Sequence, residues 1–311
     1  MTPLRLGYLY GLGAYLLWGF FPLYLKLLRP AGPLEILAHR VVWSVVFVAL
    51  LLGALRNVGF LRALLRRPWA MAGMVAAATL IAVNWGTYIY GVNSGRVVET
   101  ALGYFINPLV VVLLGVTVLR ERLRPAQWVA LGIGASAVVV LTVDYGRLPW
   151  LALTLAFSFA GYGLVKKRLG LPPAEGLFVE SAVLALPALG YLAWLTARAD
   201  STFGHVSAGH TALLVLAGAA TAIPLLMFAG AANRLPLSSL GMVQYLAPIL
   251  QLGCGVLIFH ELMPPARLAG FGLVWLALIV FTTDAVRTSR RTRSRQPEPA
   301  VDHGVVVPAR P

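Results

Sequence analysis

The chain carries very little charge and almost no cysteine for its length. Asp, Glu, Lys and Arg make up 12% of its 311 residues, whereas soluble domains carry roughly 25%. A chain so poor in charge cannot cover a surface that faces water, so we expect lipid to be its solvent. The single cysteine, Cys254, excludes an internal disulfide and any cysteine-based metal cluster.

Sequence motifs of enzymes and of nucleotide-driven pumps are also missing. The sequence has no Walker lysine motif, no H-E-x-x-H, no G-x-S-x-G and no dinucleotide-binding G-x-G-x-x-G. This excludes ATP-driven transport within the chain. We therefore expect no catalytic residues, no cofactor and no bound metal.

Long apolar runs are what the chain has instead. Hydrophobic residues make up 59% of it, and a transmembrane helix needs about 20 mainly apolar residues. Ten such runs predict an all-α integral membrane protein with ten transmembrane helices. They lie near Gly7–Leu28, Glu35–Leu55, Trp69–Gly91, Val97–Leu119, Ala126–Asp144, Leu148–Val165, Gly176–Ala197, Thr211–Ala231, Ser238–Phe259 and Ala266–Ala285.

The first of these runs is expected to stay in the protein. It is too long for the apolar region of a signal peptide, and no A-x-A cleavage site follows it.

Positive residues dominate the few charges, and their placement predicts the orientation. With the N-terminus inside, 18 of the 25 Lys and Arg residues fall in cytoplasmic segments, six in outer segments, and Arg40 within a span. The positive-inside rule therefore predicts that both termini are cytoplasmic. This placement explains the net charge of +14 without nucleic acid as a partner. Residues 288–311 are expected to form a disordered basic tail that lies against anionic lipid.

The second half of the chain repeats the first at an offset of 140 residues. Between Pro108–Asp144 and Pro248–Asp284, 11 of 37 positions are identical without a gap. The repeats, residues 1–145 and 146–287, hold five helices each, and an odd number makes the second copy enter from the opposite side. Inverted repeats are typical of secondary transporters, because two similar halves can open to either side in turn. A duplicated helical bundle without transport is the alternative.

Two equivalent prolines predict where a solute binds. Pro108 and Pro248 lie near the middle of the fourth and ninth spans, and each frees a backbone carbonyl one turn earlier by breaking the helix. Asn107, Gln244 and Tyr245 lie beside these breaks and are predicted to bind the solute. The alternative is that both prolines only bend their helices for packing.

A second polar group gathers where the second helix begins. Glu35, His39 and Arg40 lie in its first turns, and Glu99 begins the fourth helix at similar depth. We predict that Arg40 pairs with Glu99, because a cation within a span needs a partner. If protons are coupled to transport, Glu99 or His39 would carry them, and a purely structural charge pair is the alternative.

Several other residues have candidate roles at similar depth. Asn84, Tyr88, Tyr104 and Trp18 are predicted to line the solute site, although most tryptophans of such a chain serve packing or the interface belt. Glu180, one turn into the seventh helix, is interpreted as an interfacial residue, with a proton site as the alternative. Glu121 and Glu261 are interpreted as braces for short turns between paired helices.

Four segments carry a family resemblance. They are Ala14–Gly19 with Pro22, His39–Ser44, Glu99–Leu109 and Gly241–Pro248. With them the chain resembles the RarD-type permeases of the EamA branch of the drug/metabolite transporter superfamily over nearly all of residues 7–285. The one departure noted is Thr100-Ala101, where the family is expected to have Ala-Ser.

The resemblance implies ten helices, a bacterial inner membrane and transport of a small solute. We expect a secondary transporter that exports a metabolite or drug-like molecule, either coupled to protons or as a facilitator. A homodimer is compatible with the sequence. The alternatives are an intramembrane enzyme acting on a lipid-linked substrate and a membrane scaffold without transport.

Overall fold

The computed structural model describes residues 2–55, 59, 64, 67–120, 122–170, 172–235 and 237–293. Every regular element in this part of the chain is a helix. In chain order they are α1 (Pro3–Gly19), α2 (Phe21–Leu27), α3 (Pro33–Ala54), α4 (Pro68–Asn93), α5 (Val97–Leu119), α6 (Pro125–Tyr145), α7 (Trp150–Leu169), α8 (Pro173–Ala197), α9 (Ala208–Ala232), α10 (Leu237–Val243), α11 (Leu246–Gly253), a π-helical segment (Cys254–Ile258) and α12 (Pro265–Arg293).

Proline and glycine mark many of the helix ends. Six helices, α1, α3, α4, α6, α8 and α12, begin at a proline, where the missing N–H has no helical partner to lose. Gly146 (φ 62°) and Gly170 (φ 64°) end α6 and α7 in the left-handed conformation that glycine adopts without strain. The short connections between spans therefore follow from local sequence.

Most of these helices are suited to a membrane. Seven of those described are long and apolar enough to cross one: Pro33–Ala54, Pro68–Asn93, Val97–Val118, Pro125–Tyr145, Pro173–Ala197, Ala208–Ala232 and Pro265–Asp284. The pair α1 and α2, bent by 43°, makes an eighth if counted as one span. Trp150–Lys166 and Leu246–Ile258 are shorter apolar helices. Each of the ten predicted runs falls on one of these elements, and the prediction of an all-α membrane protein is confirmed.

The outer surface of the bundle is apolar, as lipid requires. Leu50, Val143 and Leu186 are at least 70% exposed although they lie in the middle or last turns of long helices. The largest core cluster joins α5, α6, α7 and α12 through residues such as Phe105 and Phe271. Exposed apolar side chains such as Leu50 need no burial when lipid is the solvent. Packing between helices, rather than exclusion of apolar surface from water, therefore holds the bundle together.

Alternate helix ends gather at two opposite ends of the bundle. We call the end where α3 and α5 begin the Glu35 end, and the end where α7 finishes and α8 begins the Lys166 end. Contacts between separate segments at each end support this grouping. At the Glu35 end, the Arg29 side chain donates to the Asn93 carbonyl oxygen at 2.5 Å, and at the Lys166 end, the Tyr8 hydroxyl donates to Ser239 Oγ at 3.0 Å.

Three predicted features of the helices are corrected by the structure. α5 runs unbroken through Pro108, because proline removes one hydrogen bond without ending a helix whose other backbone groups must stay paired in lipid. The first span has a break at Phe20 that was not predicted. α12 continues to Arg293, so residues 288–293 are helical rather than disordered. The rest of the predicted tail lies outside the described residues.

Candidate functional site

Arg40 is buried within the bundle and is held by neutral groups. Its side chain, on α3, is 5% exposed. Its Nε donates to Thr221 Oγ1 on α9 at 2.7 Å. Its guanidinium carbon lies 4.1 Å from the centroid of the Trp85 ring and 4.9 Å from that of Phe21. Among the described residues no carboxylate forms a salt bridge with it.

The contact between Arg40 and Thr221 depends on a close approach of α3 and α9. A Cβ atom at Gly218 would overlap the backbone of Trp43 and Ser44 on α3. Glycine at this position therefore lets the two helix backbones touch. Thr221 follows on the next turn of α9, which places its hydroxyl beside the guanidinium.

A row of contacting side chains, most of them aromatic with a polar group, runs from Arg40 toward α5. The Tyr88 ring stacks on Phe21 with centroids 6.3 Å apart and meets Tyr104 edge-on at 5.7 Å. The Tyr104 hydroxyl donates to Asn84 Oδ1 at 3.3 Å, and Asn84 Nδ2 donates to the Leu155 carbonyl oxygen at 3.0 Å. The Tyr88 hydroxyl is buried and has no hydrogen-bond partner among the described residues.

These contacts bring together residues that the sequence had grouped only by depth. Asn84, Tyr88 and Tyr104 lie with Arg40, whereas Thr221 and Gly218 were not singled out. We call the set Phe21, Arg40, Asn84, Trp85, Tyr88, Tyr104 and Thr221 the Arg40 cluster. Thr221 gave a weak signal, as a hydroxyl in an otherwise apolar span of the opposite repeat.

Glu99 has a different partner from the predicted one. Arg147, in the loop between α6 and α7, donates to both carboxylate oxygens of Glu99, with Nη2–Oε2 at 2.7 Å and Nη1–Oε1 at 3.3 Å. The prediction that Arg40 pairs with Glu99 is wrong. Glu99 lies in the first turn of its helix, where a loop arginine at the same end can reach it. This hydrogen bonding raises the pKa of Arg147 above its usual value.

Glu35 and His39 contact the loop between α8 and α9. Glu35 Oε1 accepts hydrogen bonds from the Thr202 backbone N–H at 2.7 Å and from Ser201 Oγ at 3.3 Å. The His39 ring stacks on Phe203 with centroids 4.7 Å apart. These contacts hold the loop over the Glu35 end of the bundle. The His39 ring nitrogens are buried and have no hydrogen-bond partner in the described part of the chain.

The ninth span breaks where the sequence predicted, and the fourth does not. Gln244 and Tyr245 lie between α10 and α11, just before the buried Pro248. Tyr245 packs against the core cluster of α5 and α12. Asn107 Oδ1 is buried without a hydrogen-bond partner among the described residues. Among the described residues no hydrogen bond joins Asn107 to Gln244 or Tyr245, so their shared role stays a prediction.

Gln251 is a polar residue that sequence reasoning missed. Its Nε2 donates to the Trp18 carbonyl oxygen at 3.0 Å, at the break between α1 and α2. The residue four positions after Trp18 is Pro22, which has no N–H to offer that carbonyl. The sequence offered two signals for this contact. One is the four-residue spacing from Trp18 to Pro22, and the other is the amide side chain of Gln251 one turn after Pro248. The Trp18 ring itself packs against Tyr15 and Phe228.

A buried charge pair lies at the Lys166 end. Glu180, 1% exposed, accepts from Lys166 Nζ at 2.7 Å and from the Tyr162 hydroxyl at 3.1 Å. Glu180 is thus a buried member of an ion pair, and its depth relative to the membrane interface stays a prediction. Gly176, one turn before Glu180, has no side chain, and the Lys166 ammonium occupies the space beside it.

Glu261 braces a helix from the other half of the chain. Its two carboxylate oxygens accept the backbone N–H groups of Val97 at 2.6 Å and Val98 at 2.8 Å, at the start of α5. A carboxylate is stabilised there by the positive end of the helix dipole. Burial raises the pKa of Glu261, and these hydrogen bonds act in the opposite direction. The structural role predicted for Glu261 agrees, although it braces α5 rather than its own turn; Glu121 lies outside the described residues.

Comparison with known proteins decides the family. The sequence profile of the EamA-like transporter family matches the chain twice, over residues 5–143 and 148–283. The chain belongs to the EamA-like transporter family. A RarD protein of Streptomyces exfoliatus is 56% identical over 306 residues, covering 98% of this chain and 97% of that protein. This similarity places the chain among the RarD-type permeases.

Other relatives agree in length and in the kind of protein named. An uncharacterized transporter of Bacillus subtilis, YojE, is 43% identical over 93% of this chain and 97% of its own. A chloramphenicol-sensitive RarD protein of Pseudomonas aeruginosa is 31% identical over the same shares. A crystal structure with 22% identity covers 88% of this chain and 96% of that chain at a TM-score of 0.56, which shows similarity of fold. The chain is thus a multi-pass membrane transporter of the drug/metabolite type and not an enzyme.

Proposed function

We propose that the chain is a secondary transporter with ten transmembrane helices that exports a small metabolite or drug-like solute. Two inverted five-helix repeats, residues 1–145 and 146–287, would alternate between opening to the cytoplasm and opening to the outside. The two separate matches to one family profile support two copies of a single unit.

The observation that carries this proposal is a reciprocal pair of ionic contacts between α6 and α12. Asp144 ends α6, and its Oδ2 lies 2.9 Å from Arg267 Nε at the start of α12. Asp284, 140 residues after Asp144, has its Oδ2 3.1 Å from Arg124 Nη2 at the start of α6. Equivalent helices that exchange contacts from end to start are antiparallel. A two-fold axis that relates antiparallel helices lies in the plane of the membrane, as inverted repeats require.

The pattern of helix packing supports the same axis. A two-fold exchange replaces each span by the one five places away in the chain. It turns the helix pair α1·α9 into α7·α4, the pair α5·α7 into α11·α1, and the pair α3·α9 into α8·α4. All six pairs are in contact. The pairs α3·α8, α5·α11 and α6·α12 map onto themselves and are also in contact. Two similar halves packed in this way can exchange conformations.

Contacts between the repeats close the Glu35 end in this structure. Glu35 and Glu99 of the first repeat bind Thr202 and Arg147 of the second, and Glu261 of the second repeat binds the start of α5. Opening this end has to break these contacts. Placing it outside follows from the distribution of Lys and Arg in the sequence.

The solute-binding region in this proposal lies between the repeats near mid-membrane. Asn107 lies one turn after Tyr104 on the same face of α5, so it continues the Arg40 cluster toward the break in the ninth span. Gln244 and Tyr245 on that break, with Trp18 beside the break in the first span, complete the region. Neutral amide and hydroxyl groups among aromatic rings suit a small, partly apolar solute.

Transport by purified protein in liposomes tests the proposal. Liposomes containing the chain should take up labelled metabolites faster than empty liposomes, and an imposed pH gradient separates proton coupling from facilitated movement. Asn107→Ala and Gln244→Ala should insert at normal levels and lose transport. Right-side-out and inside-out membrane vesicles from cells test the direction of transport. If the protein exports its solute, the inside-out vesicles should take the solute up. Full transport in both alanine variants would contradict the placement of the site, and a lack of transport of every metabolite screened would contradict the function.

A further inference from the structure

We propose that the solute of this transporter is a small organic anion, a carboxylate on an aromatic or apolar body, and that Arg40 binds its carboxylate. The inference rests on the proposed transport function and adds the class of solute. The observations that carry it are the burial of Arg40, the nature of its partners and the engagement of Glu35 and Glu99 with other groups.

Arg40 is a buried cation without a countercharge. Charged side chains within a membrane pair with opposite charges or mark the path of a substrate. Three of the four arginines with carboxylate partners among the described residues lie near the ends of long helices: Arg147 with Glu99, Arg267 with Asp144 and Arg124 with Asp284. Arg40 lies seven residues inside α3, so it is deeper than these three.

The guanidinium of Arg40 keeps donors that the surrounding residues do not use. A guanidinium has five N–H groups in a fixed planar fork. In the described part of the chain its one hydrogen bond joins Nε to Thr221. Nη1 and Nη2 thus remain available, and this edge of an arginine matches a carboxylate with two parallel hydrogen bonds.

Glu35 and Glu99, the acidic side chains in the first turns of α3 and α5, are already engaged. Both oxygens of Glu99 accept from Arg147. Glu35 accepts from Thr202 and Ser201. Neutralising Arg40 with either residue would break these contacts. An anionic solute supplies the missing charge without that loss.

The rings around Arg40 suit the rest of such a solute. Trp85 and Phe21 present ring faces to the guanidinium, and Tyr88 and Tyr104 continue the surface. Aromatic surfaces of this kind pack against flat apolar groups. The buried Tyr88 hydroxyl, without a partner among the described residues, can donate to a second oxygen of the solute.

The test measures thermal stabilisation of the purified, detergent-solubilised full chain by matched pairs of small molecules. The probes are benzoate, phenylacetate and indole-3-acetate, each compared with its neutral amide, and sodium chloride at equal concentration. The acids should raise the unfolding temperature and the amides should have little effect. Arg40→Gln should weaken acid binding by at least about tenfold, since it removes charged hydrogen bonds. Arg40→Lys should keep the preference for acids at reduced affinity.

Arg198→Gln is the matched control, because Arg198 is an exposed cation that pairs with Asp200. It should bind the acids as the unaltered protein does. Equal stabilisation by acids and amides, or by chloride alone, would overturn the inference in the unaltered protein, even if Arg40→Gln does not fold. An Arg40→Gln variant that folds and keeps the preference for acids would overturn it too.

Flux measurements distinguish failure of this inference from failure of the proposed function. If neutral metabolites cross liposomes equally with the unaltered protein and with Arg40→Gln, transport stands and the anionic class is wrong. If acids bind through Arg40 and no solute crosses, the anion site stands and the transport proposal is wrong.

Discussion

At the scale of single residues, the partner of each charged side chain near the Glu35 end depends on which groups can reach it, and not on its depth in the bundle alone. Arg40 lies two turns inside α3 and Glu99 lies in the first turn of α5, and each has another partner. Arg147 approaches Glu99 from a loop, and Thr221 approaches Arg40 from the second repeat. A buried charged group pairs with the side chain whose backbone position allows a hydrogen bond of favourable distance and angle.

Double-mutant cycles test this arrangement. Glu99 and Arg147 should show a coupling of about 0.5–3 kcal/mol, as contacting residues do. Arg147→Ala should be more damaging than Glu99→Gln, because it leaves the buried carboxylate unpaired. The measurement is the thermal unfolding midpoint of each purified variant and of the double variant.

The same cycle on Arg40 and Glu99 should give additive effects within about 0.5 kcal/mol. A coupling as large as that of Glu99 with Arg147 would contradict the partners described for both residues.

At the scale of the helices, close approaches and capping across the repeats fix the site. Gly218 allows α9 to touch α3, and Glu261 holds the start of α5. The helix starts follow from proline in the sequence, whereas these contacts do not. These contacts depend on which residue of a distant segment packs against each helix. Neither helix propensity nor the spacing of residues in the sequence contains that information.

Substituting Gly218 should disturb the Arg40 cluster. Gly218→Ala places a Cβ against the α3 backbone, which cannot move aside as a flexible side chain can. We expect a loss of about 1–3 kcal/mol, the usual cost of overpacking, seen as a lower unfolding temperature. Gly272→Ala is the control, since no atom lies within 4 Å of its added Cβ. Equal effects of the two substitutions would contradict the close approach.

Removing the Glu261 carboxylate should destabilise α5. Glu261→Ala leaves the Val97 and Val98 N–H groups without their acceptor, at a cost of about 1–3 kcal/mol, and Glu261→Gln should be milder because its amide oxygen still accepts. Asp200→Ala serves as the control, since its ion pair with Arg198 is exposed and such pairs contribute at most about 1 kcal/mol. The yield of folded protein and its unfolding temperature check this. An Asp200→Ala variant that is damaged as strongly as Glu261→Ala would show that the capping contact is not decisive.

Sequence reasoning reached the helices more fully than the site. Apolar runs located the helices, and depth grouped Asn84, Tyr88 and Tyr104 correctly with Arg40. Pro108 was misread, because a proline in a lipid-embedded helix can cost one hydrogen bond without ending the helix. Gln251 was missed, because its importance appears only when it is seen beside the Trp18 carbonyl, to which Pro22 can offer no N–H.

At the scale of the whole molecule, the proposed function depends on two halves that face opposite ways. In the proposed arrangement, one axis in the membrane plane accounts for both the ionic contacts of Asp144 and Asp284 and the exchange pattern of helix packing. Alternating access uses that axis, because the conformation of one half can become that of the other. A bundle whose halves entered from the same side would have no such pair of states.

The most direct measurement is the side of the membrane reached by equivalent loops of the two repeats. Reporter fusions after Arg124 and after Pro265 probe the turns before α6 and α12, which occupy matching places in the repeats. We expect the fusion after Arg124 to report cytoplasm and the fusion after Pro265 to report the outside. Fusions after Lys167 and Arg147 should likewise report cytoplasm and outside. The same side for Arg124 and Pro265 would contradict the inverted repeats and with them the proposed mechanism.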